Sequence, residues 1–178
     1  MGEKAMTNKY AQILIFYVFV MVFIPPVKSF AWESYIAETL VLYVQKIDEA
    51  NLVYAAKKQN SKDIPLIIRF YGIGIPTTKQ PFGFEAHNFL INLLPKNSKI
   101  IVTIVGKDDE GILNALVQYK DHSVNNGLVD QGLAWVERAT CKAFFCRRWY
   151  IQEHIALKDK RGIWSLNSTR TPWQWGTE

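Results

Sequence analysis

The stretch Leu66-Ile67-Ile68-Arg69-Phe70-Tyr71-Gly72-Ile73-Gly74-Ile75-Pro76 decides how the rest of the chain is read. Successive side chains of a strand point to opposite faces, so Leu66, Ile68 and Phe70 share one side and Ile67, Arg69 and Tyr71 the other. The first face is wholly apolar, and residues 64–73 read as a strand with a buried side. Upstream, residues 39–46 interleave Thr39, Val41, Tyr43 and Gln45 with Leu40, Leu42, Val44 and Lys46, and residues 51–56 follow after a short turn, which predicts a hairpin. Downstream, residues 99–105 and 112–119 are two more strands, joined by the charged turn Lys107-Asp108-Asp109-Glu110-Gly111.

Three helices punctuate these strands. Residues 84–94 place Phe89, Leu90, Leu93 and Leu94 at helical spacing and stop at Pro95. Residues 124–136 put Val124, Leu128 and Trp135 on one side, with Gly132 allowing close packing. Residues 149–161 set Ile151 and Ile155 one turn apart and end at Gly162, a residue suited to a C-cap. Five short strands, a helix after the third and two after the fifth, predict an α+β, mainly β fold. It is a five-stranded OB-type Greek-key barrel with three helices over residues 38–165. Residues 166–178 form a tail holding Trp173 and Trp175 around Pro172, which either covers the barrel or anchors an interface.

The first 31 residues read as an address. Lys4 and Lys9 precede an apolar run over residues 13–24, Pro25 and Pro26 end it, and Ser29-Phe30-Ala31 offers a small-residue exit. That is the layout of a secretory signal peptide. Read from 11 to 27, the same segment serves as an uncleaved membrane anchor with its basic end inside. Either way the rest of the chain is expected outside the cytoplasm, periplasmic or secreted. There a nearby cysteine pair tends to bridge, so Cys141 and Cys146 are expected to form a disulfide. Five residues apart on a regular helix they would diverge, so the bridge needs a turn between them; two buried thiols are the alternative.

Composition excludes several classes. With 49% hydrophobic and 21% charged residues, the 178-residue chain cannot be disordered as a whole. Two cysteines are too few for a disulfide scaffold or a zinc site of their own. The formal charge of +5 falls to +3 without residues 1–31, a weak field that does not argue for nucleic acid.

Specific text carries a resemblance. Val124-Asn125, Leu128-Val129 and Gly132-Leu133-Ala134 with Val136 resemble the first C-terminal helix of the thermonuclease (staphylococcal nuclease-like) family. Gly162-Ile163-Trp164-Ser165 resembles its closing signature. Gly83, Glu85 and Ala86 with Leu93-Leu94 are similar to its first helix. Ile47-Asp48 after a strand, and Arg69 seven residues before Pro76, match its metal loop and arginine strand. The likeness runs from Leu40 to Ser165.

The resemblance implies phosphodiester cleavage by a calcium held between two aspartates and a carbonyl, two arginines on the phosphate, and a carboxylate that activates water. Carried over by position, only the first arginine is retained, as Arg69. The metal aspartates fall on Ala50 and Gly74, the carbonyl on Ile75, the base on Thr77 and the second arginine on Ile112. Asp48 and Glu49 remain nearby as residual metal or polar groups. Calcium takes about six to eight oxygens, and nothing opposite Asp48 supplies a second anionic ligand. No metal or other cofactor is therefore expected, calcium belonging only to the nuclease alternative.

Other carboxylates and imidazoles read blandly. Asp108, Asp109 and Glu110 suit a solvated hairpin tip, and His87, His122 and His154 are scattered on different elements. Tyr71, Lys79 and Phe82 are expected close to the cleft, as binding residues. Apolar side chains in a former phosphate site favour protein contact over a polyanion. The reading is an exported, catalytically degenerate thermonuclease-like domain that binds a protein partner in the cell envelope. Two alternatives stay open: a secreted metal-dependent endonuclease with a relocated site on Asp48, Glu49, Arg69 and Asp108 or Asp109, and a non-catalytic nucleic-acid binder. Membrane contact is expected only through residues 11–27, if they are retained.

Overall fold

The structure is a computed structural model that describes residues 38–166 together with Thr171 and Gln174. The signal or anchor segment, Trp173 and Trp175 lie outside the described residues. Strand β1 (Thr39–Ile47) pairs antiparallel with β2 (Val53–Ala56) on one side and β5 (Lys99–Lys107) on the other. β2 continues to β3 (Leu66–Phe70), and β5 to β6 (Leu113–Tyr119). The parallel pairing of β3 with β6, Arg69 opposite Asn114, joins the two ends and closes a five-stranded barrel. Irregularities at Val44/Lys46 in β1 and Ile104/Gly106 in β5 bend the long strands enough to close it.

Alternation fills the interior. Leu42, Val44, Val53, Ala55, Ile68, Phe70, Ile100, Val102, Ala115 and Val117 are all buried in one cluster, and Arg69, between two of them, faces out. Helix α1 (Gly83–Leu93) packs Ala86 and Leu90 onto this cluster. β7 (His122–Ser123) turns back on β6, and the Ser123 hydroxyl accepts from Asn126 N to start helix α2 (Val124–Asp130).

One buried amide ties these parts together. Asn125 is fully buried; its Oδ1 accepts from Val117 N, and its Nδ2 donates to the carbonyls of Tyr71 and Ala115. It satisfies Val117 N and Tyr71 O at the seam where β6 parts from β3, and adds a second bond to Ala115 O, which also accepts from Tyr71 N.

Two helices differ from the sequence expectation. α2 stops at Asp130, because Gly132 takes a left-handed conformation (φ +69°) and ends the run. Trp135–Val136 is not helical but forms β8, paired antiparallel with β4 (Ile73–Gly74). The strand expected over residues 64–73 likewise breaks at Tyr71–Gly72, into β3 and β4. Helix α3 spans Cys146–Lys158, three residues earlier than expected at each end. Its left-handed C-terminal residue is Lys160 (φ 53°), not Gly162. Gly162 instead opens a short 3-10 turn, Gly162–Ser165, and faces Gly132. A Cβ at either glycine would lie within 2.3 Å of a backbone oxygen across the contact.

The buried side of α3 is also unexpected. It carries Cys146, Trp149, Glu153 and Ala156, whereas Ile151 and Ile155 face solvent. Glu153 is stable there because Oε1 accepts from Val136 N and Oε2 from Arg138. Cys141 and Cys146 form a disulfide with Cα atoms 5.8 Å apart, and residues 142–145 supply the turn that the bridge requires.

Candidate functional site

The β1–β2 turn, the β3–β4 segment and the end of β8 surround a depression of about 330 Å³. Ala50, Asn51 and Leu52 line one side, Phe70, Ile73, Gly74 and Ile75 the floor, and Arg69 and Glu137 the rim. The polar groups round it are largely used by the protein itself. Asp48 Oδ1 accepts from the backbone N–H of Ala50 and Leu52, at 3.0 and 2.9 Å, and its Oδ2 accepts from the Tyr54 hydroxyl. Burial and then the hydrogen bond and charge of Asp48 push the Tyr54 phenol pKa up. Asp48 thus shapes the turn, and neither it nor Glu49 lines the depression.

Asn51 clamps the opposite rim. It is buried in a left-handed conformation (φ 61°), and its Nδ2 donates to Pro76 O at 2.7 Å. That bond fixes the amide's orientation, so Oδ1 faces His87 Nδ1 at 3.1 Å. A carbonyl oxygen can only accept, so the His87 ring donates from Nδ1. His87 is the satisfied helix residue that the sequence suggested. At the positions implied for the base and the metal carbonyl, Thr77 N donates to Gln80 Oε1, and Ile75 lies in the apolar floor.

Arg69 is exposed, but its Nη1 donates to Asp108 Oδ2 at 2.7 Å. Asp108 Oδ1 in turn accepts from Glu110 N and Ile112 N, organising the β5–β6 turn. Partial desolvation raises the Asp108 pKa, but the Ile112 N–H, the Arg69 guanidinium and the Glu110 N–H outweigh it and hold it below the usual value. Ile112, at the second arginine's position, is buried. The arginine at the position the resemblance implies for phosphate is therefore paired with a carboxylate of the same chain.

Tyr71, Lys79 and Phe82 do not line this depression. The Tyr71 hydroxyl donates to Thr140 O and its ring meets Phe145 edge-on, under the disulfide loop. Lys79 is exposed in the following loop, and Phe82 precedes α1 with its ring packed against the core. Asp109, Glu110 and His154 are exposed and lie outside the depression. Glu137 was missed by sequence reasoning. Pairing of β8 with β4, and the bond from Glu137 N to Gly72 O, carry it to the rim, where its Oε2 accepts from the Thr140 hydroxyl. No local pattern marks it, because the pairing that carries it there is with β4, distant in the sequence.

The residues present do not fit a calcium of the implied kind. Both oxygens of Asp48 are committed to the turn, Ala50 and Gly74 offer no side-chain oxygen, and Glu137 is a single carboxylate. Among the described residues no three His, Cys, Asp or Glu side chains converge to hold a metal.

Barrel, helix order and arginine-bearing strand together define an OB-type, nuclease-like fold. The model of the family described as staphylococcal nuclease homologue matches residues 67–166, more than half of the chain. The chain belongs to the staphylococcal nuclease homologue family. Over 108 residues, 61% of this chain, it is 28% identical to staphylococcal-like nuclease CAN1 of Arabidopsis thaliana, covering 32% of that protein. It is 27% identical to probable staphylococcal-like nuclease CAN3 of Oryza sativa subsp. japonica, covering 28%, and 29% identical to an uncharacterized 38.1 kDa protein of Capnoides sempervirens, covering 31%. The chain spans about a third of the length of these curated relatives.

Proposed function

We propose that this nuclease-like domain is catalytically degenerate and works as an exported binding or scaffold module of the cell envelope. One observation carries the reading: the Arg69 guanidinium, needed on a phosphate, is closed by Asp108 at 2.7 Å, and among the described residues no three His, Cys, Asp or Glu side chains gather to hold a cation. Phosphodiester cleavage needs charge neutralisation and an activated water together, and this cleft offers neither in free form. The apolar floor of Phe70, Ile73 and Ile75 suits a protein side chain better than a polyanion. The Cys141–Cys146 bridge supports an oxidising compartment.

The test is incubation of the full-length chain with single- and double-stranded DNA and RNA, in calcium, magnesium or EDTA. No metal-dependent cutting is expected. Cleavage that EDTA abolishes, and that Arg69→Ala also abolishes, overturns the proposal. Glu137 at the rim favours a second reading, an endonuclease whose site has shifted towards β8. Cutting lost in Glu137→Gln identifies that case. Salt-dependent retention of nucleic acid without cutting identifies the third, a binder.

A further inference from the structure

On another face, the disulfide loop, α3, α2 and the β6–β7 turn enclose a groove of about 880 Å³. Its composition is unlike the cleft's. Phe144 is 87% exposed and Ile151 63%, two large apolar side chains with no cover among the described residues. Phe144 is not a loose tip. Its ring lies edge-on to Phe145, Phe145 packs on Trp149, and the bridged cysteines beneath are both buried. Tyr150 donates to Cys141 O at 2.6 Å, fixing the loop from the helix side as well.

Arg147 and Arg148 stand at the start of α3 with no acidic residue in its first turn. Cations are disfavoured at that end of a helix, where the peptide dipoles are positive. Neither arginine has an ion-pair partner among the described residues. Below them, Asn126 Oδ1 and Gln152 Oε1 are closed off from solvent and accept no hydrogen bond. Both residues line the groove. Buried acceptors without donors are rare in folded proteins.

We infer that this groove docks an acidic, extended peptide segment of another protein. An apolar side chain of the segment packs against Phe144 and Ile151, and its carboxylate pairs with Arg147 and Arg148. A nucleic-acid strand fits less well. Two arginines against Asp121 leave the groove a net charge of only +1 with His122 neutral, and a phosphate track needs several cationic contacts. Aromatic and arginine anchors in a partly apolar groove are the composition of a protein interface. The assignment stands whether or not the cleft cuts nucleic acid.

Panning a random dodecapeptide library against the purified full-length chain tests it. Enriched peptides should carry Asp or Glu beside an aromatic or aliphatic residue. Phe144→Ala and Arg147→Glu/Arg148→Glu should each weaken the best of them by about tenfold or more. Lys96→Glu, outside the groove, should leave binding unchanged. All three groove positions are exposed, so the variants are expected to fold, and circular dichroism checks this. No enrichment, enrichment without acidic residues, equal binding to the groove variants, or displacement by a single-stranded oligonucleotide overturns the assignment.

Discussion

The cleft and the disulfide-loop groove are two hollows of one small barrel, and they treat polar groups in opposite ways. Around the cleft, Asp48 is used by its own turn, Asn51 by Pro76 and His87, and Arg69 by Asp108. Around the groove, among the described residues, Arg147 and Arg148 have no ion-pair partner, two amide oxygens accept no hydrogen bond, and Phe144 is uncovered. A hollow whose polar atoms are satisfied internally offers little to a ligand. One whose atoms lack partners gains from an occupant. The nuclease ancestry of the fold lies at the first hollow and its capacity for contact at the second.

Substitutions can break this contrast, beginning with the scaffold both hollows share. Asn125→Ala should cost on the order of 3 kcal/mol, because it leaves Val117 N and Tyr71 O without the partner that amide supplies and removes a second bond to Ala115 O. Chemical denaturation measures it. Glu153→Ala should cost about 2 kcal/mol by orphaning Val136 N, and β8 amides should show the largest rise in hydrogen exchange.

Asp108→Ala should be milder for stability, as the ion pair is exposed, but it uncovers Arg69. Retention of short single-stranded DNA at low salt should then rise severalfold, and Arg69→Ala in the same background should cancel the gain. Acid should do the same reversibly. The Asp108 pKa is held below its unfolded value of about 3.9, so the contact is complete above that pH and is lost as pH falls through the folded value. Chemical-shift titration of the Arg69 guanidinium follows it. The smallest effect on folding belongs to Phe144→Ala, within about 0.5 kcal/mol because the ring is exposed.

Much of the barrel was legible in residue order. Leu66, Ile68 and Phe70 announced an inward face, and the turns around residues 48–52 and 107–111 announced hairpins, since period-two alternation is a local signal. The resemblance carried by Gly132, Trp164 and Arg69 identified the family. What escaped depended on distant pairing. Trp135 and Val136 continue an apolar helical spacing, and only the strand Ile73–Gly74, some sixty residues earlier, pulls them into a sheet. Glu137 reaches the cleft by the same pairing. On α3, Ile151 and Ile155 stand one turn apart but face solvent, and Glu153 is the residue inside, because Val136 N and Arg138 are there as partners. Hydrophobic spacing cannot register a carboxylate whose burial is arranged by another element. The resemblance implied ligand positions at Ala50, Gly74 and Ile112 from residue order alone, whereas the pairing of Arg69 with Asp108 required the closed barrel.

Gly132 and Gly162 meet backbone to backbone, and Ile163 N donates to Gly132 O at 2.9 Å with its side chain fully buried. This latch is made by nearly the last residues of the domain to be synthesised. The nascent chain cannot lock the turn after α2 before residue 163 is available, so consolidation of the helical half waits until translation of the domain is all but complete.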